Sequence, residues 1–193
     1  NVTAADIDGM IEYDLSIKPR DYQIEAYKFA IEHERGMVIS PTASGKSLII
    51  YMLCRHYMNM INNNILIIVP TTSLVEQLYK DFKDYGFDVE TNVSRKYHGY
   101  DIDEDKRIVI STWQSLYKMP KKFFEDYGAV IGDEAHLFKA VSLTKIMTKL
   151  TDCKYRIGLT GTLDDSKTHK LVLQGLFGMV NKVVSTTELI ERK

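Results

Sequence analysis

Two short stretches carry residue types that handle phosphate. The first, Ser40-Pro41-Thr42-Ala43-Ser44-Gly45-Lys46-Ser47, lies between the apolar run Met37-Val38-Ile39 and a helical pattern beginning Leu48-Ile49-Ile50. A strand, a loop of small residues, Gly-Lys-Ser and a helix, in that order, are what a phosphate-binding loop needs. Successive backbone N–H groups would wrap the anion, and the helix N-terminus adds unpaired donors and partial positive charge. Lys46 would then reach the β- and γ-phosphates of a nucleotide as a point charge, with the Ser47 hydroxyl on Mg²⁺. Ser40 stands where the usual pattern has its first glycine, and a Ser/Gly turn capping an ordinary helix gives a similar string. The second stretch is Asp133-Glu134, reached directly from the buried-looking run Ala129-Val130-Ile131-Gly132. Such a strand would carry Asp133 to the metal and set Glu134 one residue further, where it can polarise an attacking water. An acidic pair that merely caps the next helix is the alternative for that stretch taken alone.

These groups need elements to hold them. The chain reads as apolar strands alternating with helices, which argues a doubly wound α/β fold with a mostly parallel sheet and helices on both faces. Lys18-Pro19-Arg20-Asp21 starts a helix with Ile24, Tyr27, Phe29 or Ala30, and Ile31 on its inner side. A helix from Lys46 to about Ile61 leads to Ile65-Leu66-Ile67-Ile68-Val69, apolar on both faces as a central parallel strand should be. Pro70 stops it, Thr71 or Thr72 caps a helix through about Asp84, and Phe87–Val93 alternates loosely as a further strand. Short strands follow at 108–111, 129–132 and 155–159, with helices at 120–126 and 143–150. Beyond Leu163 we expect a helix around 171–176 and a last strand at Val183-Val184. In such sheets ligands gather at the carboxyl ends of the strands. The segments opening at Ser40, Pro70, Ser111, Asp133 and Thr160 all fall there.

Asp133-Glu134-Ala135-His136 together with Pro41–Ser47 resembles motifs II and I of the superfamily 2 helicases of DEAH-box type. Arg20-Asp21-Tyr22-Gln23 is similar to the segment ahead of motif I in which a glutamine reads the adenine edge. Val69-Pro70-Thr71-Thr72-Ser73 resembles motif Ia, Ser111-Thr112-Trp113-Gln114-Ser115 resembles motif Ib or Ic, and Gly158-Leu159-Thr160-Gly161-Thr162 resembles motif III. The likeness covers roughly residues 18–165 and implies a RecA-like ATP-binding lobe using ATP and Mg²⁺. It implies Glu134, Asp133, Lys46 and His136 as catalytic residues, and Arg20, Gln23 and Pro41 through Ser47 as nucleotide ligands. Ser47 and Asp133 would hold the metal. Thr160, Gly161 and Thr162 would couple hydrolysis to DNA, and Pro70, Thr71, Thr72, Ser73, Thr112 and Gln114 would touch it. Backbone contacts of that kind come from hydroxyls, N–H groups and helix N-termini.

Nothing after Thr162 resembles motifs IV, V or VI, so the chain is expected to be the first lobe of a larger motor, its partner lobe being a second RecA-like domain. Residues 1–17 read as a linker or the tail of a preceding domain, with residues 18–193 as the lobe. The expected activity of the intact protein is that of an ATP-dependent DNA helicase displacing strands or migrating branches. A double-stranded DNA translocase and a nucleotide-dependent binding module are the alternatives.

Composition limits partners rather than naming them. With 25 Lys and Arg against 26 Asp and Glu, nucleic-acid binding must come from a local patch and not the overall field. The basic clusters Arg95-Lys96-His98 and Lys118-Lys121-Lys122 read first as solvated faces, and Trp113 as a core anchor. Cys54 and Cys153 lack metal-ligand spacing, and no apolar run reaches membrane-spanning length, so a cytoplasmic protein is expected.

Overall fold

The computed structural model describes residues 17–39, 45–97, 105–134 and 137–160, with residues 175, 177 and 183–185 further on. All of the expected tail at 1–17 except Ile17 therefore lies outside the described residues, as does most of the expected helix at 171–176.

Pro19 and Asp21 open helix α1 (Asp21–Glu32), whose Gln23 side chain accepts the Arg20 N–H at 2.8 Å. Strand β1 (Arg35–Ile39) leads toward the phosphate loop, and helix α2 (Lys46–Met60) leaves it. Strand β2 (Asn64–Val69) is followed by helix α3 (Thr72–Asp84), capped by Thr71, whose hydroxyl accepts the Leu74 N–H at 3.2 Å. A one-turn helix α4 (Val89–Asn92), strands β3 (Val93–Lys96) and β4 (Ile108–Thr112), and the short helices α5 (Trp113–Leu116) and α6 (Lys121–Phe124) come next. Strand β5 (Tyr127–Asp133), helix α7 (Ala140–Lys149), strand β6 (Tyr155–Thr160) and strand β7 (Val183–Ser185) complete the order.

The seven strands form one parallel sheet in the order β3-β4-β2-β5-β6-β1-β7. Alternate side chains along each strand enter different cores. Ile65, Ile67 and Val69 of β2, with Ile157 and Leu159 of β6, face the core built with α1, α2 and α3. Leu66, Ile68, Val109 and Val130 face the opposite core, with Phe124, Leu143, Ile146 and Phe177. A sheet covered on both faces explains why its strands read as unbroken apolar runs.

Glycine shapes the second core at one point. Gly132 of β5 and Gly158 of β6 are paired in register, and the fully buried ring of Phe177 lies over both. A Cβ on Gly132 would come within 2.9 Å of Phe177 Cζ, and one on Gly158 within 3.1 Å of its Cγ.

One expectation holds in part and another is corrected. Tyr27 and Ala30 are buried on the inner side of α1 as expected, and Phe29 and Ile31 pack against the core, but Gln23 and Ala26 are buried there too and Ile24 is only partly covered. The segment Phe87–Val93 is not a strand. Asp88 accepts the Thr91 N–H at 3.2 Å and turns the chain through α4 before the strand begins at Val93. At the end away from the site, half-buried Arg107 donates to the carbonyls of Met58, Ile61 and Asn63 at 2.6 to 2.9 Å, tying down the last turn of α2 and the residues just past it.

Candidate nucleotide site

The strand order decides which loops meet. From β1 the chain crosses to β2, fills β3 and β4 on the far side, then returns to place β5 and β6 in the gap between β2 and β1. The phosphate-loop strand and the acidic strand are therefore separated by β6, the strand that ends in Thr160. Thr160 pairs in register with Ile39, and Asp133 with Leu159, so all three carboxyl ends lie at one level.

Gly45 caps α2 in the left-handed region, with φ +77°. Only glycine takes that conformation readily. Its missing Cβ also makes room, since an added one would lie 2.2 Å from Gln23 Nε2. That amide donates to the Gly45 carbonyl at 3.1 Å. Gln23 is buried, so α1 braces the base of the cradle through a single side chain. Arg20 N–H occupies the other end of the same amide.

Lys46, the first residue of α2, points across to β5. Its ammonium pairs with the Glu134 carboxylate and lies 3.4 Å from Asp133 Oδ1. Asp133 ends β5 and is buried, and Glu134 follows on the turn with φ +52°. A non-glycine residue there carries of order 1–3 kcal/mol of strain, which the surrounding structure must hold. Among the described residues, Glu134 alone combines a side chain with positive φ. Sequence reasoning placed these three residues together, and the structure does so. Thr160 is fully buried at the end of β6 between them.

The Ser47 hydroxyl is engaged with the Tyr85 hydroxyl at 2.7 Å. Tyr85 had not been singled out in the sequence. Its only signal was a Tyr-Gly pair at the end of a helix. Burial raises the Tyr85 phenol above its ordinary pKa, against a smaller opposing effect of the Ser47 hydrogen bond, so it stays protonated at neutral pH. Pro41, Thr42, Ala43, Ser44, His136, Gly161 and Thr162 lie outside the described residues.

Among the described residues no cluster of three His, Cys, Asp or Glu side chains could hold a metal on its own. A hydroxyl and a carboxylate fit Mg²⁺ nonetheless, because that ion keeps water and substrate phosphates and takes only one or two protein oxygens.

The presumed nucleic-acid residues divide. Thr71, Thr72 and Ser73 are exposed at the start of α3, whereas Pro70 is buried. Gln114 is exposed and donates to the Pro70 carbonyl at 3.3 Å, tying the segment after β4 to the one after β2. Thr112 is buried, and its hydroxyl pairs with Ser115 at 3.0 Å. Thr72, Ser73, Glu76, Gln77, Lys80 and Tyr97 line an open cleft of 430 Å³. Arg95 pairs with Glu76 at 2.8 Å and stacks on Tyr79, so that member of the basic cluster is partly neutralised. Trp113 packs against the second core, as an anchor should.

Known proteins share this sequence and shape. The family described as "Type III restriction enzyme, res subunit" matches residues 16–165. The ATP-dependent DNA helicase uvsW of Enterobacteria phage T4 is 36% identical over 179 residues, 91% of this chain and 36% of that protein. The DNA 3'-5' translocase XPB2 of Sulfurisphaera tokodaii is 31% identical over 157 residues, 80% of this chain and 33% of the relative. The crystal structure of the bacteriophage T4 UvsW helicase superposes with a TM-score of 0.86 at 30% identity, covering 96% of this chain and 68% of the other. The Pyrococcus furiosus Hef helicase domain shares the fold, with a TM-score of 0.73 at 20% identity and coverage of 89% and 39%. The chain thus spans about a third of the length of these curated relatives. With Lys46, Asp133, Glu134 and Thr160 brought together at the carboxyl ends of a parallel sheet, the chain belongs to the superfamily 2 helicases, as their first RecA-like, ATP-binding lobe.

Proposed function

We propose that this lobe binds Mg-ATP between Lys46 and the Asp133-Glu134 pair, and that the intact protein uses hydrolysis to displace strands or migrate branches in DNA. The observation that carries the reading is the contact of Lys46 with both carboxylates across β6. The single ammonium offsets part of the charge of the two carboxylates. A triphosphate offers it a more strongly charged partner, and Lys46 then leaves Glu134 free to accept a proton from water. Asp133 and Ser47 would hold Mg²⁺, which when bound neutralises charge on the β- and γ-phosphates. Gln23 and Arg20 would meet the base, and Gln23 would report its arrival to Gly45 through the hydrogen bond they already share. His136, Pro41, Thr42, Ala43 and Ser44 are assigned to the same site by resemblance.

Thr71, Thr72, Ser73 and Gln114, on adjacent segments, would contact the DNA backbone, with Thr160, Gly161 and Thr162 relaying hydrolysis to it. Thr112 acts by holding Ser115 at the turn. The arginine finger would come from a second RecA-like lobe, worth ~10³ to 10⁵ in turnover, so the lobe alone should hydrolyse ATP very slowly. Residues 1–17 are proposed to be a connection to a preceding domain, and the cytoplasm to be the place of action. Among the described residues no helix is long and apolar enough to cross a membrane.

Measuring ATP hydrolysis by the intact protein with no DNA, and with single-stranded, duplex and branched DNA, tests the reading. Turnover indifferent to every DNA would favour a nucleotide-dependent binding module and overturn it. A second reading, double-stranded DNA translocation, draws on the restriction-enzyme description of the matched family and the translocase relative. Triplex displacement without unwinding of a forked duplex would select it.

A further inference from the structure

The hydroxyl that pairs with Ser47 belongs to a residue tied down at a helix end. Tyr85 is the C-cap of α3, and the chain turns away at Gly86 with φ +90°. Gly86 N–H bonds to the Lys83 carbonyl at 3.0 Å and Phe87 N–H to the Phe82 carbonyl at 3.1 Å. This pair of reversed bonds is a Schellman closure, which fixes the backbone at Tyr85. The ring is fixed as well. It packs on Tyr51 at 5.2 Å, and Tyr51 in turn meets Phe82 and Phe87 at 5.2 and 5.6 Å. Tyr51 stands one turn after Ser47 on α2, so the Tyr85 ring rests directly on the helix that carries its partner, whereas Phe87 reaches it only through Tyr51. The 2.7 Å separation is that of a well-formed O–H···O bond.

We propose that Tyr85 is a positioning residue for the metal end of the nucleotide site, its phenol setting the rotamer of the Ser47 hydroxyl. The proposal rests on Ser47 as a ligand of Mg²⁺, as put forward above. When Ser47 donates its proton to the phenol oxygen, its own lone pairs remain open to a cation. Without Tyr85 the hydroxyl is free to turn to other acceptors. The neutral phenol can serve as that acceptor without adding charge beside a triphosphate. Tyr85 itself touches neither substrate nor metal in this scheme.

The test is a Mg²⁺ titration of binding of a fluorescent ADP analogue to the full-length protein, which needs no turnover. Tyr85→Phe, which removes one oxygen from a half-buried ring, should raise the half-saturating Mg²⁺ concentration ~3- to 10-fold, the worth of one neutral hydrogen bond. Binding measured in a chelator should not change. Ser47→Ala should raise the Mg²⁺ requirement at least as far, and Ser47→Ala with Tyr85→Phe no further than Ser47→Ala alone. Phe87→Leu, which loosens the cluster and spares both hydroxyls, should lower the melting temperature and leave the Mg²⁺ requirement alone. An unchanged requirement in Tyr85→Phe beside a raised one in Ser47→Ala would overturn the positioning role and leave the Ser47 assignment standing. An equal rise in Phe87→Leu would overturn it too, as a packing effect. No rise in Ser47→Ala would bring down the metal-ligand reading itself, and this proposal with it.

Discussion

Lys46 Nζ and Asp133 Oδ1 stand 3.4 Å apart although β1, which precedes the Lys46 helix, and β5, which ends in Asp133, are not neighbours. Strand β6 runs between β1 and β5, and its last residue, Thr160, is fully buried. Replacing Lys46 by Ala removes the charge meant for phosphate and leaves two carboxylates close together. Nucleotide affinity should fall at least ~10-fold, the effect of losing one charge-assisted hydrogen bond, as read by fluorescent ADP titration. The circular dichroism spectrum should remain that of a folded α/β protein.

Glu134→Gln keeps the shape of the side chain and loses its basicity. In the intact protein ATP should stay bound while hydrolysis falls ~10²- to 10⁴-fold, the range for removal of a general base. Turnover at the wild-type rate in a rapid-quench assay would remove Glu134 from the mechanism.

Much of this was legible in the sequence because parallel sheets leave a plain signature. Ile65–Val69 and Ala129–Gly132 read as strands since both their faces are covered, and the loops at their carboxyl ends had to carry the chemistry. The pairing of Lys46 with Asp133 and Glu134 followed from motif order. The Phe87–Val93 segment misled because loose alternation resembles a strand, while the decisive cap, Asp88, is a single side chain acting locally. Gln23 was missed on the inner face of α1 because a polar residue there is marked by its bond to Gly45 and not by any apolar pattern. Tyr85 and Phe177 stayed hidden for a different reason. Each meets partners tens of residues away, and no spacing rule in a single sequence encodes such contacts.

Gly45→Ala meets two obstacles, a left-handed backbone and the Gln23 amide. We expect it to lower stability by ~1–3 kcal/mol in urea unfolding and to weaken nucleotide binding. Gln23→Ala clears the steric obstacle, so the two changes together should cost less than their sum.

The fit of Phe177 over its two glycines gives a packing prediction. Gly132→Ala should destabilise by ~1–3 kcal/mol through overpacking. Phe177→Ala should cost ~3–5 kcal/mol through the cavity left behind. Chemical denaturation with each change and the pair should show clear non-additivity.

His56 is buried on α2 beside Tyr27 and Tyr57, and desolvation holds its pKa below the ordinary 6.5. The folded protein therefore binds its proton less readily than the unfolded chain does. This contribution to stability is complete above pH 6.5 and is lost as the pH falls through the lowered folded value. Melting temperatures between pH 7.5 and 5 should fall less steeply in His56→Gln than in the parent protein.

Phe177 lies twelve residues past the end of the region matched by the family description, at residue 165. A piece trimmed to that boundary would uncover an oily trench along β5 and β6, directly under the acidic pair. The region that the family description matches is thus narrower than a unit that keeps its own interior dry.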